Sequence, residues 1–577
     1  MDVGDVQGDG GDDFLVEEVF EMDRHGGVTD WSLAVFGFGV FGLKLGRTFG
    51  VRLIECVVLG LVCFNCMSYL HYGCGKQGQT TIVRMVFQSL VLLVVGAMML
   101  LTSCASWQKT SAIDRLKPCL TAEGPTDGYC GTMDVWEDRE AGAGRKIALK
   151  IIVLPGLKQN SAADPLFFLA GGPGQGAAAL ATMIRERFRS VQTDRDIVLV
   201  DQRGTGKSGA LECKPDKDEE KSEDVAFAVD RLRACLASYT GKADVTKYTT
   251  TIAMDDLDQV RSYLGYSKIN LYGGSYGTRA ALVYSRRHAA HTRAVILDGV
   301  APTDMRLPLY MARDGQRALE LLFRDCEKDK ACQARFPGLR AKFSGLIERL
   351  TAKPQKVRYV HPRTGEEKEM DAKRALVTSM IFTTLYQPTM AALVPLLIEQ
   401  ADKGNFSGIL ALGAAMDSGD GDGGIAQGMH FSVVCSEDFT RIEPGVVEKE
   451  TAGTFMGKDM AEMRMKICGF WPKGKVEAEY FKETPSDLPA LILSGELDPV
   501  TPPSWGEGVA RQWKNSKHIV VPGTGHGTMG AGCVMKLITK FLQDGSVAQL
   551  DAGCVSKVER PPFFLGPAGP DPMRGGQ

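Results

Sequence analysis

Residues 268–278, KINLYGGSYGT, decide how this chain is read. Ile269, Leu271 and Tyr272, with Asn270 among them, predict a short buried strand, and Arg279 to Tyr284 (RAALVY) is rich in helix formers. Between them stands Gly273-Gly274-Ser275-Tyr276-Gly277. In a strand-turn-helix context G-x-S-x-G has a mechanical meaning: the serine is forced onto a sharp, strained turn, and glycine leaves room for helix and strand to pack closely. Ser275 is therefore the candidate nucleophile. The five-residue pattern taken alone fits equally well a glycine-rich turn that happens to hold a serine, and the residues downstream decide between the two.

A serine nucleophile needs a general base, and the base needs a third group to fix its tautomer and orientation. With this elbow the chain order is serine, then an acid, then histidine, each at the end of a later strand. Leu488 to Leu493 (LPALIL) is an apolar run emptying into Ser494-Gly495-Glu496-Leu497-Asp498-Pro499, and Lys517 to Val521 (KHIVV) runs into Pro522-Gly523-Thr524-Gly525-His526-Gly527. Asp498 and His526 fall where the acid and the base are expected. Of the eight histidines, His526 alone is flanked on both sides by glycine in a turn after a strand. His288 and His291 sit at a helix end beside Arg286 and Arg287 and read as solvated, and His518 lies inside a strand as a structural residue.

The chain has 577 residues, enough for two or three domains or one elaborated α/β domain with an insertion. An apolar fraction of 44% supports an ordinary globular core, and a formal net charge of −3 gives no electrostatic reason to expect nucleic acid as a partner. Residues 1–82 read differently from the rest, with an acidic, glycine-rich start and an apolar run, 53–70, interrupted by Glu55 and Asn65. Met85 to Leu101 is hydrophobic, preceded by Arg84 and closed by Leu101-Thr102-Ser103-Cys104. This pattern predicts an export signal over 83–104 of the bacterial lipoprotein type, with Cys104 lipidated, the body outside the cytoplasm at a membrane, and translation starting near Val83 or Met85. The competing reading makes 53–70 and 85–101 two membrane-spanning helices. Both put the body beyond a membrane, in the periplasm or at the cell surface.

Ten cysteines follow Cys104, an even number that suits disulfides in an exported chain. The simplest hypothesis pairs neighbours: Cys119 with Cys130, Cys213 with Cys235, Cys326 with Cys332, Cys435 with Cys468, and Cys533 with Cys554. Zinc is the competing use, but no C-x-x-C pair with a matching second pair occurs after Cys104. Asp417, Asp420 and Asp422 lack calcium-loop spacing, so no metal and no cofactor is expected.

Strands are predicted at Ile147 to Leu154, Leu166 to Leu169, Asp196 to Val200 and Arg293 to Leu297, with a helix from Thr251 to Leu264. This alternation argues for a mainly parallel sheet with helices on both faces. Gly172 to Ala177 nominally satisfies a dinucleotide pattern, but Pro173 occupies its second position and no acidic residue follows as required. The better use of that turn is an oxyanion donor, with the N–H of Gly172 as the first and that of Tyr276 as the second. Asp201 to Ser208 ends in Gly-Lys-Ser, yet Asp201 stands where a phosphate loop needs glycine, so the loop reads as structural, with Arg203 and Asp201 tying down the floor of the site.

The ordered set AGGPG (170–174), DQRGTGKS (201–208), GGSYGT (273–278), GELDPVTP (495–502) and GTGHG (523–527) resembles the proline iminopeptidase and tripeptidyl aminopeptidase family of α/β-hydrolases, closest to the tripeptidyl branch. The resemblance covers about residues 115–560. It implies an α/β-hydrolase core in two parts, 115–302 and 487–557, a mostly helical lid over 303–486, and a serine exopeptidase acting on peptides with a free N-terminus. Ala170 departs from the histidine usual in proline iminopeptidases, which weakens proline specificity. An exopeptidase must recognise an α-ammonium group, and Glu437 and Asp438, beside Cys435, are the candidate partners, with a solvated acidic pair as the alternative. Residues 558–577, rich in proline and glycine, are expected to be disordered. An esterase or lactonase on the same machinery is the runner-up, and a non-catalytic surface binding protein the third reading.

Overall fold

The computed structural model describes residues 115–570 except 122–123, 159–162, 214–224, 363 and 417–423. The extension 1–82, the signal segment 83–104 with Cys104, the aspartates 417, 420 and 422, and residues 571–577 lie outside the described residues.

The strands are β1 (Lys117–Thr121), β2 (Gly124–Trp136), β3 (Lys146–Leu154), β4 (Leu166–Leu169), β5 (Ile197–Val200), β6 (Ile269–Gly274), β7 (Thr292–Asp298), β8 (Gln355–Val360), β9 (Glu367–Ala372), β10 (Ala490–Gly495) and β11 (Ser516–Val521). Nine of them form one sheet in the order β1-β2-β3-β5-β4-β6-β7-β10-β11, and β8 pairs with β9 in a separate hairpin. From β5 to β11 every pairing in the large sheet is parallel, while β1, β2 and β3 add an antiparallel edge.

The central strands β4 and β5 are short and apolar at every position because helices cover both faces. Leu166-Phe167-Phe168-Leu169 and Ile197-Val198-Leu199-Val200 are buried throughout. Successive side chains point to opposite faces. Phe167, Val198, Val200 and Leu271 pack in one layer, and Phe168, Ile197, Leu199 and Tyr272 in the other. Helices α1 (Thr250–Tyr263) and α2 (Tyr276–Arg287) cover the first face, and the helices Ala181–Arg187 and Val534–Asp544 the second.

The insertion is mostly helical and has its own core, including Leu319, Leu322, Phe323, Phe343, Ile381 and Phe382. Its last part behaves differently from the expected lid. Helices α3 (Gln427–Glu437) and α4 (Asp459–Phe470) contribute Met429, Val433, Ile467 and, just beyond, Trp471 to the layer that covers the main sheet. The tail also departs from expectation: Phe563 is buried in the insertion's core, Arg560 Nε lies 3.0 Å from Asp325 Oδ2, and Phe564 N–H donates to Ala392 O. An aromatic side chain in an apolar socket holds this part of the proline- and glycine-rich segment against the insertion.

The five disulfides join the neighbours anticipated from sequence: Cys119–Cys130, Cys213–Cys235, Cys326–Cys332, Cys435–Cys468 and Cys533–Cys554. Among the described residues no helix is long and apolar enough to cross a membrane.

Candidate active site

Ser275 sits between β6 and α2 with φ 55° and ψ −125°, and among the described residues it is the one non-glycine with positive φ. Such strain, of order 1–3 kcal/mol, persists only where the surroundings impose it. Here they do. A Cβ on Gly273 would stand 2.2 Å from Gly277 O, and one on Gly277 would stand 2.1 Å from Leu169 O, so the elbow closes only with glycine at both places. Ser275 N–H donates to Asp298 O at 2.9 Å, and Thr278 Oγ1 donates to Ser275 O at 2.6 Å. The turn is thereby held against the end of β7.

Asp498 follows β10 and His526 follows β11. His526 Nδ1 lies 2.8 Å from Asp498 Oδ2. Thr501 adds a third member, donating its hydroxyl to Asp498 Oδ2 at 2.8 Å while standing 3.1 Å from His526 Nδ1. Burial alone would raise the Asp498 pKa, but the charge and hydrogen bond of His526, with the amides of Thr501 and Val500, bring it below the usual carboxylate range. Burial alone would lower the His526 pKa, and the Asp498 carboxylate overcomes it, so the imidazole is shifted upward. Behind the ring, Gly299 has φ +71°, and a Cβ there would meet His526 Cε1 at 3.3 Å.

Ser275 and His526 open onto one cavity of about 390 Å3. The strand-end turns supply one wall through Gly171, Gly172, Gln175, Tyr276, Val500 and Thr501. The insertion supplies the other through Leu307, Met311, Tyr386, His430, Val434 and Arg464. Gly171 packs directly on the serine, its Cβ position lying 3.3 Å from Ser275 Cβ. Gly172 and Tyr276 line the cavity, and among the described residues neither backbone amide donates to a backbone carbonyl. Tyr386 meets the His526 ring edge-on at 5.2 Å, and its carbonyl accepts the backbone N–H of His526 at 2.8 Å.

Glu437 and Asp438 do not line this cavity. Both are buried, at the end of α3 and beneath the elbow. Arg279 Nη1 of α2 lies 3.0 Å from each Asp438 oxygen and 3.7 Å from Glu437 Oε2. Glu437 accepts from Thr250 N at 2.6 Å, from Thr250 Oγ1 at 2.8 Å and from the Tyr480 hydroxyl. Thr250 Oγ1 is also 2.7 Å from the Tyr276 hydroxyl, so the acidic pair braces the residue after the nucleophile. Their expected role as ammonium partners is corrected by this arrangement, because neither carboxylate has a face left for a substrate.

Arg203 is likewise fully internal, bridging Asp256 on α1 to the carbonyls of Trp136 and Glu137, and does not reach the cavity. Asp201 ties its own loop to the segment after β4, accepting from the amides of Lys207 and Ala178. His518 is bound to Ser494 at 2.9 Å. His288, His291 and Asp258 could bring three metal-ligand atoms within 4.8 Å of one another, but Asp258 is already held by Arg261 and Tyr284.

Thr501 was findable from sequence, since it follows Asp498 by three residues in the same turn. Tyr386, His430 and Arg464 were not, because they come from a turn and two helices of the insertion whose docking no local pattern reveals.

Two family models match the chain: the alpha/beta hydrolase fold over residues 164–325 and the TAP-like protein over residues 453–554. Serine protease Hip1 of Mycobacterium tuberculosis is 25% identical over 472 residues, spanning 74% of this chain and 88% of the relative. Putative hydrolase YuaR of Escherichia coli is 21% identical over 398 residues, spanning 65% and 77%. Proline iminopeptidase of Neisseria gonorrhoeae is 28% identical over 136 residues, spanning 24% and 32%. With its elbow, its sheet order and both matches in sequence, the chain has the α/β-hydrolase fold, followed by a region that matches the TAP-like protein model.

Proposed function

We propose that this chain is a serine exopeptidase that hydrolyses peptide bonds near a free N-terminus. Ser275 Oγ attacks the peptide carbonyl, His526 takes its proton and gives it to the leaving amine, and Asp498 holds the imidazole in the required tautomer. The amides of Gly172 and Tyr276 stabilise the tetrahedral oxyanion, and water then hydrolyses the acyl-enzyme.

The observation that carries this reading is that a strained serine and a carboxylate-bound histidine face one cavity whose second wall is the insertion. A walled site of about 390 Å3 suits a chain end better than the middle of a folded substrate. The N-terminal direction rests on the likeness to proline iminopeptidase. Five disulfides support a location outside the cytoplasm, and a lipid anchor at Cys104 would hold the body to a membrane. Mass spectrometry of the native N-terminus tests the anchor.

A fluorophosphonate should label Ser275 in the intact chain and fail on Ser275→Ala. Aminoacyl and tripeptidyl arylamides should be cleaved when the N-terminus is free and spared when it is blocked. Equal cleavage of both would overturn the exopeptidase assignment while leaving the hydrolase.

A further inference from the structure

The cavity is charged on one side only. Among the described residues that line it no carboxylate occurs, and the one permanently charged side chain is Arg464. It lies on α4, four residues before Cys468, whose disulfide to Cys435 ties α4 to α3. Among the described residues Arg464 has no ion pair and no hydrogen bond, and its Nη1 is sealed from water without a partner. It shares the cavity lining with Ser275 and His526, and its charge is felt by His430 and by Tyr386, the ring that abuts His526.

An unpaired, partly desolvated guanidinium is expensive. Two fully internal arginines of this chain are paired: Arg203 has Asp256, and Arg279 has Asp438. Nothing comparable reaches Arg464, although its burial pulls its pKa down. His430 gives no relief either. Burial, then the Arg464 charge, drops its pKa to about 3, so it stays neutral, and its Nδ1–H donates to Pro173 O at 3.2 Å. A buried polar group left unsatisfied in the free protein, at the wall of a binding cavity, is satisfied by what binds there.

We propose that Arg464 is the specificity anchor of this site and binds a carboxylate of the substrate within the cavity onto which Ser275 opens. The proposal rests on the serine peptidase reading and gives it a substrate class. The carboxylate has two chemical sources, an acidic side chain or the free C-terminus of a short peptide. A guanidinium meets either in the same two-pronged geometry.

The test separates binding from turnover. On Ser275→Ala, calorimetry compares short peptides that differ in one group: glutamate against glutamine at the position preceding the scissile bond in one arm, and C-terminal acid against C-terminal amide in the other. The carboxylate form should bind roughly ten- to a hundredfold tighter in at least one arm, which identifies the source. Adding Arg464→Gln should erase that difference, and Arg464→Lys should retain part of it, with circular dichroism showing each variant folded. Equal binding of both forms in both arms, or a preference that survives Arg464→Gln, overturns the anchor. Carboxylate-selective binding by a wild-type protein that cleaves no peptide would instead sink the peptidase reading and leave the anchor standing.

Discussion

Asp498 Oδ2 is shared at 2.8 Å between His526 Nδ1 and Thr501 Oγ1, while Oδ1 accepts the Val500 and Thr501 amides at 2.8 Å each. Four donors thus fix one carboxylate, and the carboxylate fixes the ring.

The first prediction is the acid limb of the pH profile. The reaction needs neutral His526, whose pKa burial would lower but Asp498 raises above the ordinary 6.5. Activity should therefore climb with pH through a midpoint above 6.5 rather than at or below it. In Asp498→Asn the raising charge is gone and the burial effect remains, so the residual activity should show its limb at lower pH. The rate itself should fall by roughly a thousandfold or more, since the amide can stabilise the wrong tautomer. A kcat/KM profile with unmoved midpoint in the variant would count against the pairing.

Elbow glycines give a steric prediction with an internal control. Gly277→Ala would push a methyl to 2.1 Å from Leu169 O, whereas a Cβ on Gly274 meets nothing closer than Tyr272 Cε1 at 3.8 Å. Backbone cannot yield as a side chain can, so Gly277→Ala should cost upwards of about 3 kcal/mol. Gly274→Ala should melt close to wild type. Thermal unfolding of the two variants side by side decides it.

These same glycines explain how much of the fold was legible. Close approach leaves a mark in local sequence because only one residue type tolerates it, and the strands β4, β5, β7 and β10 left another in the four-residue apolar runs LFFL, IVLV, AVIL and ALIL. Strand β2, one in from the edge, left none: Gly124, Pro125, Gly128 and Gly131 have poor strand propensity, and β2 is held by pairing with both β1 and β3. Glu437 and Asp438 were visible as an acidic pair, but their partner Arg279 lies 159 residues from Asp438 along the chain. Charge alone could not tell a substrate contact from an internal brace. Arg464 was silent for the same reason in reverse, since a lone arginine on a helix reads as solvated until its surroundings are known.

Cys435–Cys468 closes a loop of 33 residues and joins the helix carrying His430 to the helix carrying Arg464. Chain-entropy reasoning assigns a bridge of that span about 3 to 4 kcal/mol. Replacing both cysteines by serine should lower the urea midpoint accordingly and loosen the cavity wall. KM should rise more than kcat falls, with Ser275 still labelled by a fluorophosphonate. Loss of labelling together with KM would mean that the bridge supports the elbow rather than the wall.

The ion pair of Arg279 with Asp438 yields the last prediction. Both side chains are fully buried, and Arg279 also donates to Met305 O at 3.0 Å. Removing one partner strands the other without water, so Asp438→Ala should destabilise by about 3 to 5 kcal/mol. Removing both, as in Arg279→Met with Asp438→Leu, eliminates the stranded charge, and the double variant should be more stable than either single one. Denaturant unfolding of the three variants reads this directly as a coupling energy. A substrate contact would behave otherwise: Asp438→Ala would leave the unfolding midpoint alone and raise KM for substrates with a free amine but not for blocked ones. That outcome would restore the acidic pair to the binding site, against the saturated hydrogen bonding seen around it.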